Sequence, residues 1–165
     1  MYLFRKLDLH DVQIMNCLQK DARASFADIS RKIHLSEEAI GKRTRNLENQ
    51  GFILGYKALL NPYKVNIRVR AFMHLQLKQH SVEVLDMVTR VIQNLPEVVN
   101  CYKVVGEYDF SLEVLTVDLH AYHRFYKELL DHLQCIDCIR SMIVTDEIKS
   151  GEIFNLNHLP ANRGN

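Results

Sequence analysis

Glu38, Lys42, Arg45 and Asn49 recur at intervals of three and four residues, with Ser36 just upstream. At about 100° per residue a helix sets these four on one side and Ile40, Thr44 and Leu47 on the other. The polar row has the chemistry of base and phosphate recognition. Arg45 can fork onto guanine, Lys42 can contact guanine or phosphate, and Glu38 can accept from cytosine, while Ser36 and the free amides of the helix start can hold a phosphate. Glu38 and Lys42 also stand at i, i+4, a spacing that stabilises any solvated helix, so the row alone does not separate a DNA-reading face from an ordinary one.

The elements that position the row sharpen the reading. Asp8 with Asp11 forms an N-cap signal, after which Ile14, Cys17 and Leu18 recur at helical spacing up to Ala22. Ser25 with Asp28 repeats that signal for a short second helix on the stripe Ile29 and Ile33. Ser36 opens the third helix, with Glu37 and Glu38 in its first turn and Gly51 just past its end. The three-residue connection His34-Leu35-Ser36 between two short helices is the helix-turn-helix pattern, whose second helix lies in the major groove. Phe52 to Leu60 is rich in strand formers and ends at Asn61-Pro62. It is expected to be a strand leading to a hinge.

Composition is consistent with this division. The chain has 165 residues, 47% hydrophobic and 25% charged, enough for two small domains and unlike a disordered or collagen-like chain. Residues 1–60 carry 10 Lys/Arg against 7 Asp/Glu, whereas residues 61–165 carry 11 against 13. The mildly basic first half suits an anionic partner. No apolar run approaches the roughly 18 residues that span a bilayer, and Met1 to Leu9 lacks a signal-peptide core, so a cytoplasmic protein is expected. The four cysteines, Cys17, Cys101, Cys135 and Cys138, are expected to be free thiols.

The remaining hundred residues alternate strands and helices. Val69, Ala71, Met73, Leu75 and Leu77 mark a half-buried strand; Ser81 opens a helix with seam Leu85, Val88, Ile92 and Leu95, closed by Pro96. Strands over Val98 to Val105 and Phe110 to Val114 flank Gly106-Glu107, read as a two-residue, Gly-first hairpin loop. Asp118 caps a helix with seam Leu119, Tyr122, Tyr126, Leu129 and Leu133, and Ile136 to Ile148 supplies the last strand. The order βαββαβ is the ferredoxin-like arrangement, an antiparallel sheet with both helices on one side. Phe72, Tyr102, Val104 and Leu115 are candidates to line its other face, where a second copy would cover them in a homodimer. The fold class is therefore α+β: a helix-turn-helix, winged-helix-like domain over 1–52, strand and hinge over 53–66, a ferredoxin-like domain over 67–150 and a tail over 151–165.

The chain resembles the Lrp/AsnC family, the leucine-responsive or feast/famine regulators, across Leu7 to Ile148. The segments that carry the resemblance are Leu7-Asp8 with Asp11 and Ile14; Leu18 to Arg23; Leu35-Ser36; Arg43 with Leu47-Glu48 and Gly51-Phe52-Ile53; and Gly106-Glu107-Tyr108-Asp109. The resemblance implies a nucleoid-associated transcription regulator that binds double-stranded DNA, responds to a small effector, here expected to be an amino acid, and assembles dimers into tetramers or octamers. It implies Ser36–Asn49 as the recognition helix, adding Arg43 to the DNA-facing candidates Ser36, Glu38, Lys42, Arg45 and Asn49. It places the effector loop at Gly106, Glu107, Tyr108 and Asp109, between sensing domains. Two departures stand out. Thr44 replaces the usual Val or Ile of the core face, where it is expected to hydrogen-bond back along the helix; Glu37-Glu38-Ala39 gives the recognition helix an acidic start.

An amino acid carries an ammonium and a carboxylate that both lose water on binding, so each needs a partner. Backbone amides around Gly106 to Tyr108 can take the carboxylate, and Asp109 or Glu107 the ammonium. Thr145 and Glu147 are further candidates, expected at the same edge. An ordinary turn with solvated acids is the competing reading.

Cys135-x-x-Cys138 with His132 and His123 has metal-like spacing, but one CxxC without two further ligands is not a zinc site, and His120-x-x-His123 reads as a solvated or capping pair. No metal or cofactor is expected. The chain lacks a nucleophile elbow, a phosphate-cradling glycine loop and paired carboxylates in a recognisable motif, so it is not expected to be an enzyme. The alternative is a sirohaem decarboxylase-like subunit, which shares this two-domain architecture; its histidine segment is not reproduced by Asn100-Cys-Tyr-Lys103.

Overall fold

The computed structural model describes residues 7–149, 151 and 153–159. Residues 1–6 of the expected N-terminal domain, residue 150, and residues 152 and 160–165 of the expected tail lie outside the described residues. The chain divides into two compact units: one runs to Leu59 and takes back the tail from Ser150, and the other is Leu60–Lys149.

In the first unit, α1 (Leu9–Lys20) and α2 (Phe26–Ile33) each begin with a reciprocal capping box, Asp8 with Asp11 and Ser25 with Asp28. Ser36 caps α3 (Glu37–Asn49) by accepting from the Ala39 amide at 3.2 Å. Such caps satisfy amides that a helix start leaves without partners. Ile14, Ile29, Ile40 and Leu47 meet in one buried cluster, onto which the tail residues Leu156 and Leu159 also pack. Gly51, at φ +73°, ends α3 in the left-handed region.

The strand expected over Phe52 to Leu60 does not form. The Leu47 carbonyl accepts from the amides of both Phe52 and Ile53, at 2.9 and 3.3 Å, which turns their side chains onto the cluster. Residues 54–60 are exposed, and among the described residues no strand of the unit offers them a ladder. Strand-forming composition cannot replace a partner for the backbone groups.

The second unit begins with a 3₁₀ turn at Pro62–Val65 and continues as β1 (Val69–Leu77), α4 (Val82–Gln93), β2 (Val98–Lys103), β3 (Phe110–Thr116), α5 (Leu119–His132) and β4 (Ile136–Ile143). The sheet order is β2-β3-β1-β4 with every pairing antiparallel, the arrangement expected for βαββαβ. Met73 and Leu75 of β1, Leu112 and Val114 of β3, Val88 and Ile92 of α4 and Phe125, Leu129 and Leu133 of α5 form the core. The α5 seam differs from expectation. Phe125 is buried, Tyr122 and Tyr126 are only half-buried and Leu119 is exposed, so the helix is turned toward its largest apolar side chain.

Two further expectations fail for one reason, the reach of β1. The β2–β3 connection is longer than a two-residue turn: Val104 donates to the Asp109 carbonyl at 2.9 Å, leaving 105–108 as loop, because the Asp109 amide is committed to the Leu75 carbonyl of β1 at 2.8 Å. The last strand stops at Ile143, since the Val144 amide bonds Arg70 near the start of β1 and nothing beyond continues the ladder. Cys135 packs against the core, whereas Cys101 and Cys138 are exposed.

Candidate nucleic-acid interface and effector loop

The turn before α3 is fixed by His34, which takes the left-handed conformation at φ 57°, ψ 43° without being glycine. Gly41 brings α3 close to α2: a Cβ there would lie 3.1 Å from the Phe26 ring. Ile40, Thr44 and Leu47 are buried, and Ser36, Glu38, Lys42, Arg45 and Asn49 are exposed. Lys42, Arg45 and Asn49, joined by Asp8, Ala39, Arg43 and Asn46, line one open concavity. Among the described residues no ion pair joins Glu38 to Lys42. Thr44 does not hydrogen-bond back along α3: its hydroxyl is buried and finds no partner among the described residues.

Arg43 differs from the other polar residues of α3. Its Nη1 donates to Asp8 Oδ2 at 2.6 Å and to Asp11 Oδ1 at 2.7 Å, the two carboxylates that cap α1. Burial pushes the Asp8 carboxyl up, but the Asp11 amide and the Arg43 guanidinium outweigh it and hold the group below its ordinary value. Burial likewise works against the Arg43 charge, and bonding to Asp11 and Asp8 overcomes it. The sequence pointed to Asp8 and Asp11 only as a cap; their second role spans more than thirty residues and has no periodic signal.

In the second unit, Gly106 takes φ +149°, a conformation favouring glycine, and its position is open. Among the described residues the amides of 105–108 make no backbone hydrogen bond, which leaves a run of donors in a largely exposed loop. Asp109 is occupied: Oδ2 accepts from the Leu77 amide at 2.8 Å and Oδ1 lies 2.9 Å from His80 Nε2. Glu107 is freer, accepting among the described residues only from the Tyr108 hydroxyl at 2.9 Å, a bond that pushes the Tyr108 phenol up. The Tyr108 ring stacks on His74 with centroids 5.2 Å apart, and the Arg140 guanidinium lies 6.0 Å from its centroid. His74, His80 and Arg140 were not foreseen from the sequence.

Thr145 and Glu147 are not at this edge. They line a small concavity with Tyr63, Arg68 and Arg70 at the start of β1, and Glu147 accepts from Arg70 at 2.9 Å. The loop 105–108 sits at the far end of β1, a strand of nine residues spanning roughly 30 Å. The helix-free face of the sheet is mixed. Phe72, Tyr102, Val104 and Met142 are exposed, and Leu115 is half-buried. Beside them Arg70 pairs with Glu113 at 3.2 Å, and Asn100 donates to Glu113 at 2.7 Å.

The AsnC-type helix-turn-helix domain model matches residues 7–48, and the Lrp/AsnC ligand binding domain model matches residues 70–154. Leucine-responsive regulatory proteins of Escherichia coli (strain K12) and Salmonella typhimurium are 34% identical over 145 residues, covering 88% of this chain and 88% of each relative. Among solved structures, an AsnC family transcriptional regulator from Agrobacterium tumefaciens aligns with TM-score 0.88 at 32% identity, over 93% of this chain and 99% of that one. A transcriptional regulator from Neisseria meningitidis, solved as a complex with L-Met, aligns with TM-score 0.88 at 29% identity over the same shares.

Proposed function

The chain belongs to the Lrp/AsnC family of transcriptional regulators, and from that premise we propose that it reads double-stranded DNA through α3 and tunes that binding with an amino acid held at the loop 105–108. The observation that carries the DNA reading is the division of α3, whose buried side is fixed by Ile40 and Leu47 and whose exposed side presents Lys42, Arg45 and Asn49 over one concavity. Ser36 and the α3 start offer a phosphate site, and Glu38 a cytosine acceptor.

The effector reading is supported by the amides beside Gly106 and by the Glu107 carboxylate, a donor set and a charge that suit the two ends of a zwitterion. The L-Met complex of the Neisseria meningitidis relative supports the same ligand class. Asp109 shapes the loop, and Thr145 and Glu147 can reach its ligand only from a second copy. Such a copy fits the open sheet face, with Phe72 and Met142 adjacent on β1 and β4, as a homodimer that builds tetramers or octamers. The regulator works at the cytoplasmic nucleoid and carries out no catalysis; a tetrapyrrole absorption band in the purified protein would favour the sirohaem-linked alternative instead.

The test is selection of duplexes from a random-sequence pool, then titration of the enriched duplex with Lys42→Ala and Arg45→Ala. Loss of a base contact at Arg45 costs about 1–3 kcal/mol and relaxes one position, whereas a phosphate contact at Lys42 weakens all duplexes alike. Enrichment of no duplex, or unchanged affinity in both variants, rejects the reading.

A further inference from the structure

Arg43 stands between Lys42 and Arg45 in sequence, yet its guanidinium is engaged by two carboxylates of the protein itself. We infer that Arg43, Asp8 and Asp11 form a clamp that sets the rotation of α3 against α1, so that Arg43 is a positioning residue for DNA reading and not a contact. The inference rests on the DNA reading proposed above.

Three observations carry it. The first is stoichiometry. The two hydrogens of Nη1 serve Asp8 and Asp11, and two carboxylates against one guanidinium leave the cluster with a net negative charge. A cluster of that sign does not attract phosphate. The second is anchoring: Asp8 and Asp11 also accept from each other's amides, at 2.9 and 3.3 Å, so the clamp grips the capped start of α1, not a mobile side chain. The third is exposure. The Arg43 side chain is 29% exposed and that of Asp11 8%, whereas Lys42 and Arg45 are exposed.

Leverage explains why the clamp matters for reading. Side-chain tips lie roughly 6 Å from a helix axis, so rotating α3 by about 10° moves them by about 1 Å, enough to break a bidentate base contact. Asp8 and Arg43 line the same concavity as Lys42, Arg45 and Asn49. A carboxylate there opposes DNA, and Asp8 is engaged instead by the protein: one oxygen caps α1 and the other holds Arg43.

This gives a test in which simple electrostatics and positioning predict opposite signs. Full-length wild type, Asp8→Asn, Arg43→Lys and Arg43→Gln are titrated at several salt concentrations with two probes, the duplex enriched by wild type and a mixed-sequence duplex. Asn keeps the helix cap and Lys keeps the charge, and thermal melts confirm that these variants fold. Positioning predicts that Asp8→Asn, despite removing a negative charge, loses affinity for the enriched duplex by about fivefold or more, the size of one lost base contact. Arg43→Lys loses it too, because its ammonium ends one bond nearer the backbone than Nη1 and does not hold its hydrogens in the guanidinium plane that meets Asp8 and Asp11. Mixed-sequence binding is preserved, and Arg43→Gln leaves the salt slope unchanged. A phosphate contact predicts instead that Arg43→Gln lowers the slope by about 0.9 on both probes and that Arg43→Lys is near wild type. That pattern, or enriched-duplex affinity unchanged or raised in Asp8→Asn, overturns the clamp alone. If wild type enriches no duplex, the DNA reading fails and the clamp's role falls with it.

Discussion

Gln19 pairs with the backbone of Phe154 across 135 residues, its amide oxygen accepting from the Phe154 N–H at 2.7 Å and its amide nitrogen donating to the Phe154 carbonyl at 3.4 Å. Leu156 and Leu159 follow onto the cluster built by α1, α2 and α3. The segment from Phe154 to Leu159 is thus part of the first unit's packing. Gln19→Ala is expected to cost about 0.5–1 kcal/mol, and truncation after Lys149 about 2 kcal/mol or more through the two uncovered leucines. Hydrogen exchange of α1 amides reports the effect where it arises. Equal protection of α1 with and without the tail would show that the packing contributes nothing.

The buried, unpartnered Thr44 hydroxyl makes a second prediction with an uncommon sign. A buried polar group without a hydrogen bond costs roughly 1–3 kcal/mol, and valine fills nearly the same volume. Thr44→Val is therefore expected to stabilise the protein by about 1 kcal/mol, raising the denaturant midpoint at unchanged slope. A lower midpoint would mean that the hydroxyl has a partner.

How much was legible follows from where each signal resides. The caps at Asp8, Ser25 and Ser36 and the two sides of α3 were readable, because a cap and a helical stripe are local patterns. The β1 alternation was readable for the same reason, with period two. What was missed depends on partners distant in sequence. Arg43 comes to the DNA-facing set only through the family resemblance, and nothing local tells that Asp8 and Asp11 fold back onto it. Loop 105–108 was read too short because Leu75, not the hairpin, claims the Asp109 amide. Phe52 to Leu60 has strand composition without a ladder. Leu156 and Leu159 carry no period that marks them as packed.

Acid should expose the clamp on α1. The Asp8 carboxyl is held below its ordinary value near 3.8: burial raises it, but the Asp11 amide bond and Arg43 prevail. A carboxylate with a depressed folded pKa binds more protons unfolded, so its stabilisation is complete above the unfolded value and is lost as pH falls through the folded one. Stability of wild type is therefore expected to fall more steeply than that of Asp8→Asn below about pH 4, while the two curves run parallel from about pH 5 to 7. Parallel curves throughout the acid range would remove Asp8 from the account.

The effector loop calls for separating a group that builds it from one that faces a ligand. Asp109 holds the loop to β1 through the Leu77 amide and lies against His80, so Asp109→Ala leaves a half-buried donor unpaired and is expected to cost about 1–3 kcal/mol of stability. Among the described residues Glu107 has only the Tyr108 hydroxyl as partner, so Glu107→Gln should leave stability nearly unchanged. If Glu107 receives the ammonium, the same change removes a charge-assisted hydrogen bond of about 1.5–3 kcal/mol and weakens the amino acid roughly 10- to 150-fold. Calorimetry with a panel of free amino acids, run on wild type and on both variants, separates the two roles. Linkage adds a constraint, since an amino acid that alters DNA affinity must have its own affinity altered by DNA by the same factor, typically about 5- to 150-fold. Glu107→Gln should weaken the amino acid with and without DNA and leave ligand-free DNA binding as it was. Unchanged amino-acid affinity in Glu107→Gln, with a large loss in a still-folded Asp109→Ala, would move the ammonium site to Asp109; binding of no amino acid at all would remove the ligand from this loop.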